Sequence, residues 1–307
     1  MSGVRGRSNV LIQTLWPVFA LIVLGYTLAR RGFPGAGFWP AAERINYVLL
    51  FPALLVASLA VAPVDDPALL RLGGATALSI GVAAGLLALL RLRWPATPAR
   101  FGPALQGVLR FNTYLGLAIV GGIAGPAGLT RAAVFLAVAV PLVNVLSIMA
   151  LSNGARPLPL LLQVLRNPLI LACACGLALA VTGTGLPWGS GTFLGFLAQA
   201  SLPLGLLCVG AALQPAAMRR DVAALGINSA LRLAAMPWLA WGVGRACGLT
   251  GVELQVLVVF SAIPTATTAY VLTRAMGGDG PFMAGLITAQ TLASALTLPL
   301  VLALLGV

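Results

Sequence analysis

The chain has 307 residues, 60% of them hydrophobic and only 8% charged, with a mean hydropathy of +1.03. A water-soluble domain typically carries about 25% charged residues, so this composition excludes a fold with an aqueous surface and points to lipid as the solvent. The formal charge of +12 comes from Arg residues scattered singly or in pairs between apolar runs, which form no basic stripe for a nucleic-acid backbone.

In chain order, apolar runs predict ten membrane-crossing helices at 9–29, 42–62, 70–90, 101–124, 129–152, 167–184, 190–213, 222–244, 252–275 and 281–304. Each is near the roughly 20 residues that a hydrocarbon core requires. The first follows Arg5 and Arg7 as a signal peptide would, yet it ends at Arg30–Arg31 without a small-residue cleavage site and reads as a span. Short connectors carry the turn chemistry, as at Gly32–Gly35, Pro63–Pro67, Pro95–Pro98 and Gly277–Pro281. The longest, 153–166, leaves no room for a soluble domain. Arg30, Arg31, Arg91, Arg93, Arg156, Arg219, Arg220 and Arg274 follow odd-numbered spans. The positive-inside rule then puts those connectors in the cytoplasm and both termini outside, in the periplasm, although Arg5 and Arg7 oppose this locally. Cys173, Cys175, Cys208 and Cys247 have no metal-ligand spacing, His is absent, and no metal or other cofactor is expected.

Similar segments recur about half a chain apart. Phe51–Pro52–Ala53–Leu54–Leu55 in span two matches Leu202–Pro203–Leu204–Gly205–Leu206 in span seven, and Pro141–Leu142–Val143 in span five matches Pro299–Leu300–Val301 in span ten. Five spans per half force the second half to run opposite to the first. The expected fold is therefore an all-α membrane protein of ten helices in two inverted repeats, 1–153 and 154–307. Such repeats place a transport site near the bilayer midplane, where two helices break.

The symmetry predicts breaks in spans four and nine. Span four contains Arg110–Phe111–Asn112–Thr113–Tyr114–Leu115–Gly116, and span nine contains Ser261–Ala262–Ile263–Pro264–Thr265–Ala266–Thr267. At about 1.5 Å per residue both segments fall near mid-depth. Pro264 removes a backbone donor, and a broken helix exposes N–H groups that suit a carboxylate. An ordinary proline kink with polar side chains bonded between helices is the competing account. Arg110 and Arg232 lie inside spans, where charge is costly and usually functional. They either attract an anion or cap the carbonyls of a broken helix. Asn46 and Asn144 either line the cavity or bond neighbouring helices. All six acids read as lying at span ends or in connectors, which leaves no evident proton relay.

At these residues the chain resembles the auxin efflux carrier family in its bacterial form. The resemblance covers nearly the whole chain and rests on ordered short segments. These are Leu15–Trp16–Pro17–Val18–Phe19, Phe51–Pro52–Ala53–Leu54, Arg110 to Gly116, Asn167–Pro168–Leu169–Ile170, Leu202–Pro203–Leu204, Ser261 to Ala266 and Thr297–Leu298–Pro299–Leu300. One departure is Ala118, where family members commonly have Pro. The resemblance implies a fold similar to the bile-acid symporter and sodium/proton antiporter class. Spans one, two, six and seven would be a scaffold and dimer surface, and spans three to five and eight to ten a mobile core working as an elevator. It implies an organic carboxylate as cargo, such as malate, malonate or an auxin-like acid, and an address in the bacterial inner membrane. Asn112 would meet the carboxylate, with Arg110, Thr113, Gly116, Pro264, Thr265, Thr267, Asn46, Asn144 and Arg232 as further candidates.

The expected activity is thus secondary transport, as efflux driven by the membrane potential. A Na⁺- or proton-coupled symporter is the alternative. An enzyme is disfavoured because no paired acids and no nucleophile–base pair lie in the spans, and a receptor because no signalling domain is present. Lipid, the anion and a second copy of the chain are the expected partners.

Overall fold

The computed structural model describes residues 2–35, 37–63, 65–152 and 166–306, and side chains from Gln13 onward. Most of the 153–166 connector, with Arg156, and the side chains of Arg5 and Arg7 lie outside the described residues. The described chain forms eleven helices and contains no strand: α1 Ser2–Arg30, α2 Phe38–Leu59, α3 Pro67–Arg93, α4 Pro98–Leu109, α5 Thr113–Leu151, α6 Pro168–Thr182, α7 Ser190–Ala211, α8 Val222–Ala246, α9 Gly251–Ala262, α10 Thr268–Ala275 and α11 Gly280–Leu305. Six stretches among them are long and apolar enough to cross a membrane: α2, α3, the continuous run from α4 through α5, α7, α8 and α11. Leu70, Leu89, Leu92, Leu296 and Leu304 are exposed on the outside, as lipid contact demands. The molecule is an all-helical integral membrane protein.

Local chemistry sets the helix ends. Asp66, Asn112, Asn167 and Asp279 each accept a backbone N–H of the first turn of α3, α5, α6 and α11, satisfying donors that a helix start leaves open. Gly125 divides α5 into two limbs, since its φ of 58° and ψ of −150° suit only glycine. The sequence boundary expected between 124 and 129 falls there. Helices α2 and α8 each contain a widened π turn, at Asn46–Leu50 and Leu231–Ala235. Such turns are frequent at functional sites.

Helix α1 lies along α7, and two glycines permit the contact. A Cβ on Gly25 would sit 2.1 Å from the Leu207 carbonyl oxygen, and one on Gly210 would sit 1.9 Å from that of Ile22. Two ion clusters join helix ends elsewhere. Arg100 at the start of α4 reaches Asp221 at 2.9 Å and Asp279 at 2.8 Å, at the starts of α8 and α11. Arg131 in the second limb of α5 pairs with Glu253 in the first turn of α9 and lies 3.9 Å from Asp66 at the start of α3.

Candidate binding site at two interrupted helices

The chain leaves helical geometry twice in the interior. After α4, Arg110 and Asn112 take extended backbone before α5 begins. After α9, Ile263 does the same, and α10 resumes at Thr268. The breaks are bonded to each other. The Asn112 N–H donates to the Pro264 carbonyl at 2.8 Å, and the Thr265 hydroxyl donates to the Gln106 carbonyl at 3.0 Å. The Thr265 N–H donates to Gln290 of α11 at 2.9 Å. The breaks thus keep few of their polar groups unpaired, as irregular backbone inside a membrane must.

The two Arg residues divide the work. Arg232 is 1% exposed and donates to the Ile263 carbonyl at 2.7 Å, the Val108 carbonyl at 2.9 Å and the Phe260 carbonyl at 2.6 Å. Its charge meets the C-terminal ends of both α4 and α9, where helix carbonyls concentrate partial negative charge. The π turn of α8 carries it there. Arg110 instead lines a cavity of about 60 Å³. It donates to Asn144, to Ser147 at 3.3 Å and to Thr268 at 3.3 Å. No acid pairs with either Arg among the described residues.

The cavity also receives the N-terminal ends of the two resuming helices, through Asn112, Thr113 and Tyr114 of α5 and Ala266, Thr267 and Thr268 of α10. Both ends carry partial positive charge. Tyr47, Phe51, Phe111 and Leu169 supply apolar wall. Asn112 is the decisive side chain. Its Oδ1 accepts the Leu115 N–H at 3.2 Å, which fixes the amide, while its Nδ2 is buried with no hydrogen-bond partner. A buried donor left unpaired costs about 1–3 kcal/mol. Two larger cavities, about 240 and 490 Å³, are almost wholly apolar and offer no such group.

A family model described as membrane transport protein matches residues 158–302. An uncharacterized transporter of Methanothermobacter thermautotrophicus is 27% identical over 293 residues, covering 94% of this chain and 96% of that protein. Both similarities are to membrane transport proteins, and they point to a transporter rather than an enzyme.

Within this transporter the expected site residues separate into two groups. Arg110, Asn112, Thr113, Asn144 and Thr267 meet at the cavity. Pro264, Thr265 and Arg232 lie just behind it and bond the breaks together. Gly116 is one turn into α5, where a Cβ would sit 2.5 Å from the Phe260 ring, so its role is close packing. Asn46 exchanges two bonds with Ser201, at 2.9 and 2.8 Å, and ties α2 to α7. Sequence reasoning missed Tyr47, Ser147 and, above all, Glu43. Glu43 reads as a span-end acid, yet α2 begins at Phe38, and the Glu43 carboxylate accepts from the Thr267 hydroxyl at 2.9 Å. Its spacing of three from Asn46 was the available signal.

Proposed function

We propose that the protein is a secondary carrier of a small organic carboxylate, bound where the two interrupted helices meet. The observation that carries this reading is the unpartnered Asn112 Nδ2 beside Arg110, in a cavity that receives two positive helix ends. The small volume of the cavity favours anions the size of malate or malonate over an indole acid.

The wider architecture belongs to the same proposal. Ten spans form two inverted repeats, 1–153 and 154–307, with spans four and nine supplied by α4 plus the first limb of α5 and by α9 plus α10. Three observations support the repeat. Helices α4 and α9 are both twelve residues long and begin 153 positions apart. Each is followed by a break. The ion clusters also correspond, with Arg100, Asp221 and Asp279 in the places of Glu253, Asp66 and Arg131. Helices α1, α2, α6 and α7 act as a static scaffold and dimer surface in the inner membrane, with both termini periplasmic. The remaining helices carry the anion as an elevator, in the efflux direction.

The test is charge movement on a solid-supported membrane after reconstitution, with malate, malonate, succinate and indole acetate. A substrate-evoked current that disappears in Asn112→Ala and Arg110→Gln is the expected result. A folded protein that gives no current with any of these anions would overturn the substrate class.

A further inference from the structure

Glu43 stands apart from every other acid in the molecule. Asp66 and Glu253 meet Arg131, and Asp221 and Asp279 meet Arg100. Asp65 is exposed in a connector. Glu43 is half-buried inside α2 and has no Arg partner among the described residues. Its one side-chain hydrogen bond among the described residues is to Thr267, which lines the cavity and stands at the N-terminal end of α10 without capping it. The hydroxyl that would cap that helix is turned toward Glu43 instead. Tyr47, one turn further along α2, lines the same cavity.

A charged carboxylate one hydroxyl away from the cavity repels an incoming anion. Among the described residues, none of the titratable groups around it forms an ion pair with that charge. Tyr114 of α5 and Cys208 of α7 lie within reach of its field, Tyr47 shares its face of α2, and all three are neutral when protonated. Arg44 is exposed, and Arg110 keeps its charge while bonding to the neutral Asn144, Ser147 and Thr268 and makes no ion pair with Glu43.

We propose that Glu43 is a proton-binding site coupled to occupancy of the cavity. As the anion enters, a hydronium ion or buffer acid on the aqueous side gives up its proton, an O–H bond forms on the Glu43 carboxylate, and the carrier takes up one proton with each anion. By linkage, protonation of Glu43 raises anion affinity by the same factor as the anion favours protonation. The inference rests on the carboxylate-carrier reading above.

The experiment is calorimetric titration of the purified full chain with malonate, repeated in buffers of different ionisation heat and across pH. Uptake approaching one proton per malonate is expected, with affinity falling about tenfold per pH unit on the alkaline side. Glu43→Gln should bind malonate with no proton uptake and a flat pH profile, and Glu43→Asp should keep the uptake even if the Gln variant fails to fold. Malonate binding without proton uptake in the wild type, or with undiminished uptake in Glu43→Gln, overturns the coupling and leaves the carrier intact. An absence of binding heat at every pH with malonate, malate and succinate overturns the carrier reading and the coupling with it.

Discussion

Asn112 performs two tasks with two atoms, and substitutions can separate them. Its Oδ1 caps α5 and its Nδ2 is unpartnered. Asn112→Ala should lose the cap, about 1 kcal/mol of stability, and the donor, about 10- to 100-fold in anion affinity. Asn112→Asp keeps the cap but replaces the donor with a buried negative charge, so anion binding should disappear while any loss of melting temperature reports that burial rather than the cap. Thermal unfolding in detergent beside a binding titration reads both. For Arg232 the expectation is reversed. Arg232→Met leaves three buried carbonyls at two helix ends without their donor, which should cost at least about 3 kcal/mol. A variant that melts like the wild type would remove Arg232 from its bracing role. The sequence singled out both guanidinium groups but left open which one braces the breaks. That choice depends on the π turn in α8 and on the three-dimensional convergence of Val108, Phe260 and Ile263, which no local pattern encodes.

Among the elements, the contact between α1 and α7 is the tightest seen. Gly210→Ala would drive a methyl group into the Ile22 carbonyl and force the helix backbones apart, at a cost of about 1–3 kcal/mol. Gly74 in α3 has open space around its Cβ position. Gly74→Ala should be neutral or stabilise by up to about 1 kcal/mol through helix propensity. Equal melting temperatures for the two variants would contradict the close approach. Helix positions were legible because apolar run length sets them: the run expected at 70–90 is α3, Pro67–Arg93, and the run expected at 281–304 is α11, Gly280–Leu305. The break in span nine was legible from Pro264. The break in span four falls at Arg110–Asn112, with Gly116 already inside α5. The interruption there needs no special residue, since tertiary bonds to Pro264 and Arg232 satisfy the freed groups.

At the scale of the whole molecule, the hydrogen bonds distinguish two kinds of helix contact. Asn46 and Ser201 join α2 to α7, both in the proposed scaffold, whereas Glu43 and Thr267 join α2 to the break before α10. In a cysteine-free background, a short cross-link between Cys residues introduced at 46 and 201 should leave transport running. A cross-link between 43 and 267 should stop it in a way that cleaving the link reverses, relative to the same unlinked variant. Continued transport with the second link closed would sink the elevator. The proposed inverted arrangement leaves only weak segment similarity in the sequence, because the ion clusters that support it exchange Arg for acid between halves and so hide from residue matching. The two guanidinium groups at the breaks carry a further, electrical consequence. With no acid beside either one, an empty elevator would carry up to two uncompensated positive charges through the membrane field. Each charge that crosses fully is worth about 2.3 kcal/mol per 100 mV. A bound dianion would cancel them, so the loaded stroke would be nearly indifferent to voltage while the empty return stroke would be driven by it. The resting potential would then act on the vacant protein rather than on its cargo, and turnover at saturating anion should steepen with voltage more than the loading step does.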